Sequence, residues 1–369
     1  MRILYDHQVF SLQDVGGGTR YPFELLRYLS RLPSVQADLF LGLNRSAYPV
    51  HEIDSRRARV LGLRAPLPPG LGRYLVNEVL ESAASLVTGR YDIYHSTYFR
   101  WMPVIRRRAS VATHHDCTVE QFPQLFPDAA RVIRFKASLY QKADRIICIS
   151  GFSRQGLLQH YSIDPAKTCV VYHGLNVLPR SQSAAQEVRR RAPRRFLLYV
   201  GTRGYHKNFL PLLQAFRDSR LCEDYDLFAL GGGPLTLEQR SRIRALRLEA
   251  AVRCVPQVTD EFLAEAYAAA TLFVYPSLAE GFGWPPLEAM ALGCPVAASN
   301  ASAIPEVCRD APFYFDPCDV GSIARALVEA VIDEPVRRHA ITRGREVAAL
   351  YSWEKCGSET LAAYQSCLS

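Results

Sequence analysis

Two rhythms of apolar residues alternate along this chain. Short apolar runs recur at Arg2–Tyr5, Val35–Leu41, Asp92–His95, Val111–Asp116, Asp144–Ser150 and Thr168–Tyr172. They recur again at Phe196–Val200, Asp226–Leu230, Val252–Pro256, Thr271–Tyr275, Pro295–Ser299 and 313–318. Between them lie stretches whose apolar residues fall three and four apart: Tyr21–Leu32, Leu71–Leu86, Arg131–Ala143, Gly151–His160, Phe209–Arg217, Glu238–Glu249, Phe262–Ala270, Pro286–Leu292, Ile323–Ile332 and Pro335–Ala349. The first rhythm predicts strands buried on both faces and the second predicts amphipathic helices. Strand and helix in frequent alternation predict an α/β protein with parallel sheets. Leu71, Leu75, Val79, Ala83 and Leu86 form one helical face, expected to pack on a sheet, with a membrane-facing role as the other reading. Residues 44–70 are polar and proline-rich and read as a long connection.

One polar stretch divides the chain. Pro179 to Arg195 is polar, basic and flanked by prolines, and reads as a linker between two domains, 1–178 and 196–351. Ser352 is placed to cap a last helix, Trp353–Cys367, so 352–369 stands as a separate closing element. Each domain opens with a strand, a glycine turn and a helix: Gly16-Gly-Gly-Thr-Arg20 in the first, and Gly201-Thr-Arg-Gly-Tyr-His-Lys-Asn208 in the second. That order places bare backbone N–H groups and a positive dipole end where a phosphate can sit. Neither turn is a P-loop or a G-x-G-x-x-G dinucleotide fingerprint, which argues against a dehydrogenase. Lys207, at the start of the second helix, adds a cation to such a site.

The densest chemistry lies in Glu280-Gly-Phe-Gly-Trp-Pro-Pro-Leu-Glu288. It joins a strand to a short helix that Gly293 terminates. Pro285 and Pro286 sit at the helix start, where a missing N–H does no harm. Gly281 and Gly283 let a ligand approach the backbone. Glu280 and Glu288 flank the helix start, and a carboxylate accepts several hydrogen bonds at once, as sugar hydroxyls require. A phosphate at a helix N-terminus with polyols on either side is the layout of a nucleotide sugar.

With seven residues between its two acids, this run resembles the E-x7-E signature of the GT4 family of retaining GT-B glycosyltransferases. Ala289-Met-Ala-Leu-Gly-Cys-Pro-Val296 and Ala303-Ile-Pro-Glu-Val307 are similar to that family too, clearly over 196–369 and more loosely over 1–176. The resemblance implies two facing Rossmann-like domains, with the final helix crossing back to the first. It implies that Gly17 and Gly18 belong to a donor loop. It implies that His115 lies beside the donor sugar, with Asp116 toward the acceptor. Lys207 and Arg203 would meet the diphosphate, although the family places its arginine directly after the first glycine, where Thr202 stands here. Glu280 would take sugar hydroxyls, helped by Phe282 and Gly283 N–H groups, and Glu288 the ribose. Gly231 and Gly232 would approach the donor closely, Val258 would sit in the loop that holds the nucleobase, and Gly281 and Trp284 complete the donor set. The opening Tyr5-Asp-His-Gln-Val-Phe-Ser-Leu-Gln13 and the 201–208 turn look most like bacterial mannosyltransferases of O-antigen and capsule assembly. That implies a hexose, mannose from GDP-mannose, moved to a glycan or lipid-linked oligosaccharide. Alternatives are a non-catalytic GT-B scaffold, which should have lost Glu280, Glu288 or Lys207, and a GT-B epimerase or phosphorylase.

Composition narrows the setting. Apolar residues at 49% and charged residues at 22% fit a globular protein, and 369 residues exceed one ordinary core. No apolar run is long enough for a transmembrane helix, and Met1–Asp6 reads as a first strand with no secretory leader. The ten cysteines show no C-x-x-C pair, so reduced thiols in a cytoplasmic protein are expected, with no metal and no cofactor. Asp224-Tyr-Asp226 spells the D-x-D of metal-dependent transferases but precedes its strand and reads as a turn. Charge is uneven: net +8 over 1–170, +5 over 171–195 and −5 over 196–369. That division argues against nucleic acid and suits a first half facing anionic lipid at the inner face of the plasma membrane, or a phosphorylated acceptor.

Overall fold

A computed structural model describes residues 1–14, 16–45, 53, 57–65, 68, 70–98 and 106–369, with backbone only for 85–88. Its contacts divide the chain into two units: Met1–Gly174 with Ser352–Ser369, and Leu175–Tyr351.

The first unit holds a seven-stranded sheet of β1 (Arg2–Tyr5), β2 (Gln36–Asn44), β3 (Val60–Arg64), β4 (Tyr91–Ser96), β5 (Arg107–His114), β6 (Arg145–Cys148) and β7 (Thr168–Val170). All pairings are parallel and the order is β3-β2-β1-β4-β5-β6-β7. Ile3 lies opposite Ala37 on one side and Ile93 on the other, all fully buried, which is why these strands read as unbroken apolar runs. The strand order reverses between β1 and β4, and ligands of such sheets bind beyond the strand ends at that point. The helix Trp353–Gln365 belongs to this unit. It packs so closely that a Cβ on Gly357 would fall 2.1 Å from the Tyr28 ring. Its Tyr364 hydroxyl meets Tyr5 Oη at 2.6 Å and His95 Nδ1 at 2.5 Å.

Two expectations fail here. The connection predicted over 44–70, about half of it outside the described residues, contains β3, an edge strand. The helix Leu71–Thr88 does not lay its apolar face on the sheet: Leu71, Leu75 and Val79 are exposed, whereas Arg73, Asn77 and Glu81 are buried. The polar residues turn inward because carbonyls of the short helix Gln8–Leu12 and of β2 await them. Leu86's side chain lies outside the described residues.

The second unit holds β8 (Phe196–Val200), β9 (Asp226–Leu230), β10 (Val252–Val255), β11 (Leu272–Tyr275), β12 (Val296–Ser299) and β13 (Phe313–Phe315). They pair in parallel in the order β10-β9-β8-β11-β12-β13, with the reversal between β8 and β11. Leu197, Leu227, Leu272 and Ala297 centre its core, against Phe209, Leu212 and Phe216 of the helix Phe209–Asp218. Residues 179–195 are not a bare linker: Gln182–Arg191 is a helix of this unit, with Val188 buried. Arg180 forks onto Glu265 at 3.0 and 2.8 Å ahead of it. Asp226 of the D-x-D lies buried in β9, paired with Arg194 and Arg253.

Candidate functional site

In the second unit the loops after β8 and β11 leave the sheet side by side at its reversal. Leu278 N–H donates to His206 O at 2.8 Å and ties one loop to the other. Lys207 ends a short turn, Tyr205–Lys207, and Asn208 follows in the left-handed region at φ 59°. Asn208 Nδ2 donates to Pro317 O at 2.6 Å, which holds that strained turn in place. The Lys207 ammonium lies 2.5 Å from Glu280 Oε1 and 6.0 Å from the Tyr275 ring centre. Burial raises the Tyr275 phenol's pKa, and the Glu280 carboxylate adds to the effect. Glu280's own N–H donates to Ser302 Oγ at 3.1 Å. A cation and a carboxylate are thus fixed beside the start of the Trp284–Ala291 helix.

That start is built as its residues predict. Gly283 is the N-cap at φ 102°, a conformation that favours glycine, and prolines occupy the first turn. Gly281, Phe282 and Gly283 are buried and Trp284 is half-buried. Phe282 packs edge-on against Trp284 and Tyr351, with centroids 6.2 and 5.5 Å away. Glu288 is only 5% exposed, so it is no surface acid. Val258 is half-buried in the turn between β10 and the helix Asp260–Ala269, which Thr259 caps.

Arg203 departs from the expectation of a phosphate ligand. It is 7% exposed, and its guanidinium is turned under the glycine loop after β9. It donates to the carbonyls of Gly231, Gly232 and Gly233, and its Nε donates to Gln239 Oε1 at 3.3 Å. The reason is local. Gly231, Gly232 and Gly233 all have φ between 72° and 85°, which turns their carbonyls toward one side, and Arg203 fills the concavity. A Cβ on Gly232 would lie 2.9 Å from Gly201 O, so the two loops touch. Gln239 completes a capping box with Thr236 and also binds Arg203 O. The Thr236-x-x-Gln239 spacing was a readable signal for that cap, but nothing in it announced the arginine.

In the first unit, His114 ends β5, and His115 and Asp116 follow it. His114 points into the core, with Nδ1 2.8 Å from Tyr140 Oη, and is structural. His115 has no hydrogen-bond partner at Nε2 among the described residues, and Tyr21 and His173 flank its ring. Burial lowers its pKa, so the imidazole is neutral at pH 7. Burial pushes the Asp116 carboxyl up, but the Lys136 ammonium and the Thr118 N–H outweigh it and hold it below the usual carboxylate range. Gly17 and Gly18 form the first turn of the helix Gly17–Leu29, with Gly17 exposed. Gln13 presses on this turn: a Cβ on Gly18 would fall 2.8 Å from its Nε2.

Comparisons with known proteins bear on both units. Residues 181–347 match the family described as Glycosyl transferases group 1, and residues 15–177 match Glycosyltransferase Family 4. The chain is 31% identical to O-antigen chain mannosyltransferase B of Escherichia coli, across 99% of this chain and 100% of that one. It is 28% identical to a D-inositol 3-phosphate glycosyltransferase of Nocardioides sp., across 95% and 85%. Among solved structures, sucrose-phosphate synthase from Thermosynechococcus elongatus superimposes with a TM-score of 0.79 at 21% identity, covering 99% of this chain and 98% of that one. WaaG, a glycosyltransferase involved in lipopolysaccharide biosynthesis, does so at 0.74 and 16%, covering 98% of each. At these identities the two structures speak for the fold.

Proposed function

Since this chain belongs to glycosyltransferase family 4, has the GT-B fold and is a hexosyltransferase, we propose that it moves mannose from GDP-mannose to a lipid-linked oligosaccharide, with retention of configuration. The observation that carries this reading is the Lys207–Glu280 pair at the β8/β11 reversal. Cleavage of the anomeric C–O bond leaves a nucleoside diphosphate with developing negative charge. Lys207 and the N–H groups at the start of the Trp284–Ala291 helix stabilise that charge, so the transfer step needs no metal and no cofactor. Glu280 then exchanges its ammonium partner for hydroxyls of the sugar, and Glu288 takes those of the ribose. Gly231 and Gly232 line the approach of the donor, with Arg203 positioning them, and Val258 marks the nucleobase loop. In the first unit, the neutral His115 ring offers Nε2 to a sugar hydroxyl, and Asp116 serves the acceptor. Gly17 and Gly18 supply N–H groups to the donor loop. The choice of mannose rests on the Escherichia coli relative named above.

The acceptor places the enzyme at the cytoplasmic face of a membrane. Among the described residues, no helix is long and apolar enough to cross one. The helix Leu71–Thr88 instead presents Leu71, Leu75, Val76, Val79 and Leu80 to the outside, in a half of the chain that is net basic. Such a face suits peripheral contact with anionic lipid.

A thermal-shift series with GDP-, UDP-, ADP- and dTDP-sugars tests the donor. GDP-mannose at a hundred times its Kd should stabilise by about 2.7 kcal/mol. Transfer should proceed without added Mg2+ or Mn2+, and NMR should find an α-mannoside product. Lys207→Ala and Glu288→Ala should each lower kcat/KM by about two to three orders of magnitude with Tm nearly unchanged. A β-linked product, or a stronger response to a UDP-sugar, would overturn the corresponding part.

A further inference from the structure

The inverted helix Leu71–Thr88 holds a second cluster. On its inner side Arg73 donates to Ser11 O at 3.1 Å and Phe10 O at 2.8 Å, and pairs with Asp14 at 2.9 Å. Asn77 donates to Ser11 Oγ at 2.8 Å. One turn further, Glu78 and Glu81 face His7, which follows β1. His7 is fully buried and Glu81 is 1% exposed. His7 Nε2 lies 3.5 Å from Glu78 Oε1 and 3.6 Å from Glu81 Oε2. Among the described residues, neither oxygen of Glu81, nor Glu78 Oε1, nor His7 Nε2 has a hydrogen-bond partner. No described lysine or arginine pairs with either acid, and the neighbouring Asp6 carboxylate is occupied by Gln8, Tyr94 and Thr97. Phe40 and Tyr74 close over the His7 ring at 6.1 and 5.3 Å.

The buried Glu81 carboxylate, with the half-buried Glu78 beside it and no described cation, needs either a proton or a metal. The spacing favours the metal over a charged imidazolium–carboxylate pair. A charged N–H···O contact would draw the atoms to about 2.7–2.9 Å. Separations of 3.5 and 3.6 Å are too long for that. They match instead the edges of a tetrahedron whose centre lies roughly 2.1–2.2 Å from each corner, the bond length of zinc to nitrogen and oxygen. All three ligand atoms lie within 4.8 Å of one another. His7 Nδ1 meets Ser11 Oγ at 2.9 Å, the outer contact that fixes a metal-bound imidazole. We propose that His7 Nε2, Glu78 Oε1 and Glu81 Oε2 bind one divalent transition-metal cation, zinc by preference, with a coordination position left open. Its role is to pin the start of the short helix Gln8–Leu12, which His7 precedes, to the Leu71–Thr88 helix ahead of the turn leading to Gly16. The site stands apart from the transfer chemistry and does not rest on it.

The test uses the full-length chain, free of affinity tags and stripped of metal on a chelating resin. Zn2+ alone should bind at about one equivalent per chain and raise Tm. Co2+ should give the visible d–d bands of a four-coordinate nitrogen and oxygen site without a thiolate charge-transfer band, which separates it from the ten free cysteines. His7→Gln and Glu81→Gln should each weaken Zn2+ binding at least tenfold. Without a metal site, Glu81→Gln relieves a buried charge and leaves Tm equal or higher. That outcome, together with a wild-type Tm that ignores Zn2+, overturns the proposal. So does a Co2+ spectrum that is featureless or shows thiolate bands alone, a readout that holds even if a variant fails to fold.

Discussion

Arg203→Met removes the guanidinium and keeps the stem, and it separates a loop clamp from a phosphate ligand. Four contacts disappear: Gln239 Oε1 and Gly232 O, each at 3.3 Å, and the shorter ones to Gly231 O and Gly233 O. The two longer bonds contribute little. The two short, charge-assisted ones are worth about 1.5–3 kcal/mol each. Against them stands the cost of burying a cation, which the substitution removes. A net loss of about 3 kcal/mol follows, and a unit of this size shifts by about 2–4 °C per kcal/mol, so its melting transition should fall by roughly 6–12 °C. With the glycine loop released, KM for the donor should rise, while kcat at saturating donor falls less than about tenfold, because the group does not touch the transferring centre. Arg203→Lys should behave similarly, since one ammonium cannot span three carbonyls and Gln239. Differential scanning calorimetry and initial rates read both effects. A variant with unmoved Tm and kcat lowered a thousandfold would refute the clamp and return Arg203 to the diphosphate.

Two further outcomes follow from burial. His95 and His114 are buried, and desolvation pushes both rings down to about 3, whereas an unfolded chain titrates them near 6.5. Their folded pKa values lie below the unfolded one, so stability is complete above about pH 6.5 and is lost as pH falls below it; at pH 5.5 the pair should cost the first unit about 3 kcal/mol. Calorimetry at pH 7.5 and 5.5 on the wild type and on His95→Gln checks this, because the buried Asp6 and Glu81 carboxyls, which burial pushes up, shift stability the other way in both proteins; the same pH dependence with and without His95 would refute it. At the Leu71–Thr88 helix, Leu75→Glu and Val79→Asp alter side chains that are 55% and 70% exposed, so stability should change by less than about 0.5 kcal/mol. Co-sedimentation with phosphatidylglycerol vesicles should fall about tenfold or more, from lost apolar contact of about 1.5–3 kcal/mol per side chain together with added repulsion. Unchanged sedimentation would remove the membrane contact.

Much of the architecture was legible because buried parallel strands leave a plain trace. Leu197, Leu198 and Tyr199 of β8, and Leu272 to Tyr275 of β11, are buried on both faces, so their apolar runs carry no competing meaning. The Trp284–Ala291 helix was legible for a different reason: two prolines and a left-handed glycine leave the backbone few alternatives there. What escaped was whatever buries little or buries polar atoms. The edge strand β3 exposes Leu63 at 72%, and the helix Gln182–Arg191 buries only Val188 beneath its arginines. Neither presents the periodic apolar stripe that marks an element as packed. His114 and His115 are adjacent in sequence, yet His114 is tied into the core by Tyr140 while His115, one residue past the end of β5, keeps a buried Nε2 without a hydrogen-bond partner among the described residues, a division that only the end of β5 decides.

The Leu71–Thr88 helix shows where periodicity stops being informative. An amphipathic pattern establishes that a helix has two unlike faces, and burial of the apolar one is the usual outcome because water is the usual neighbour of the other. Here the inner neighbours are the carbonyls of Phe10, Ser11, Leu41 and Leu43, which would cost more left unpaired than a leucine costs left exposed. Arg73 and Asn77 satisfy them, and their inward placement carries Glu78 and Glu81 around to His7. The metal cluster and the exposed apolar stripe are therefore two consequences of one choice of face. Replacing Asn77 with leucine tests that link. It strands the Ser11, Leu41 and Leu43 contacts together, so Tm and Zn2+ affinity should fall in concert, whereas a helix held by apolar packing would gain stability from the same change.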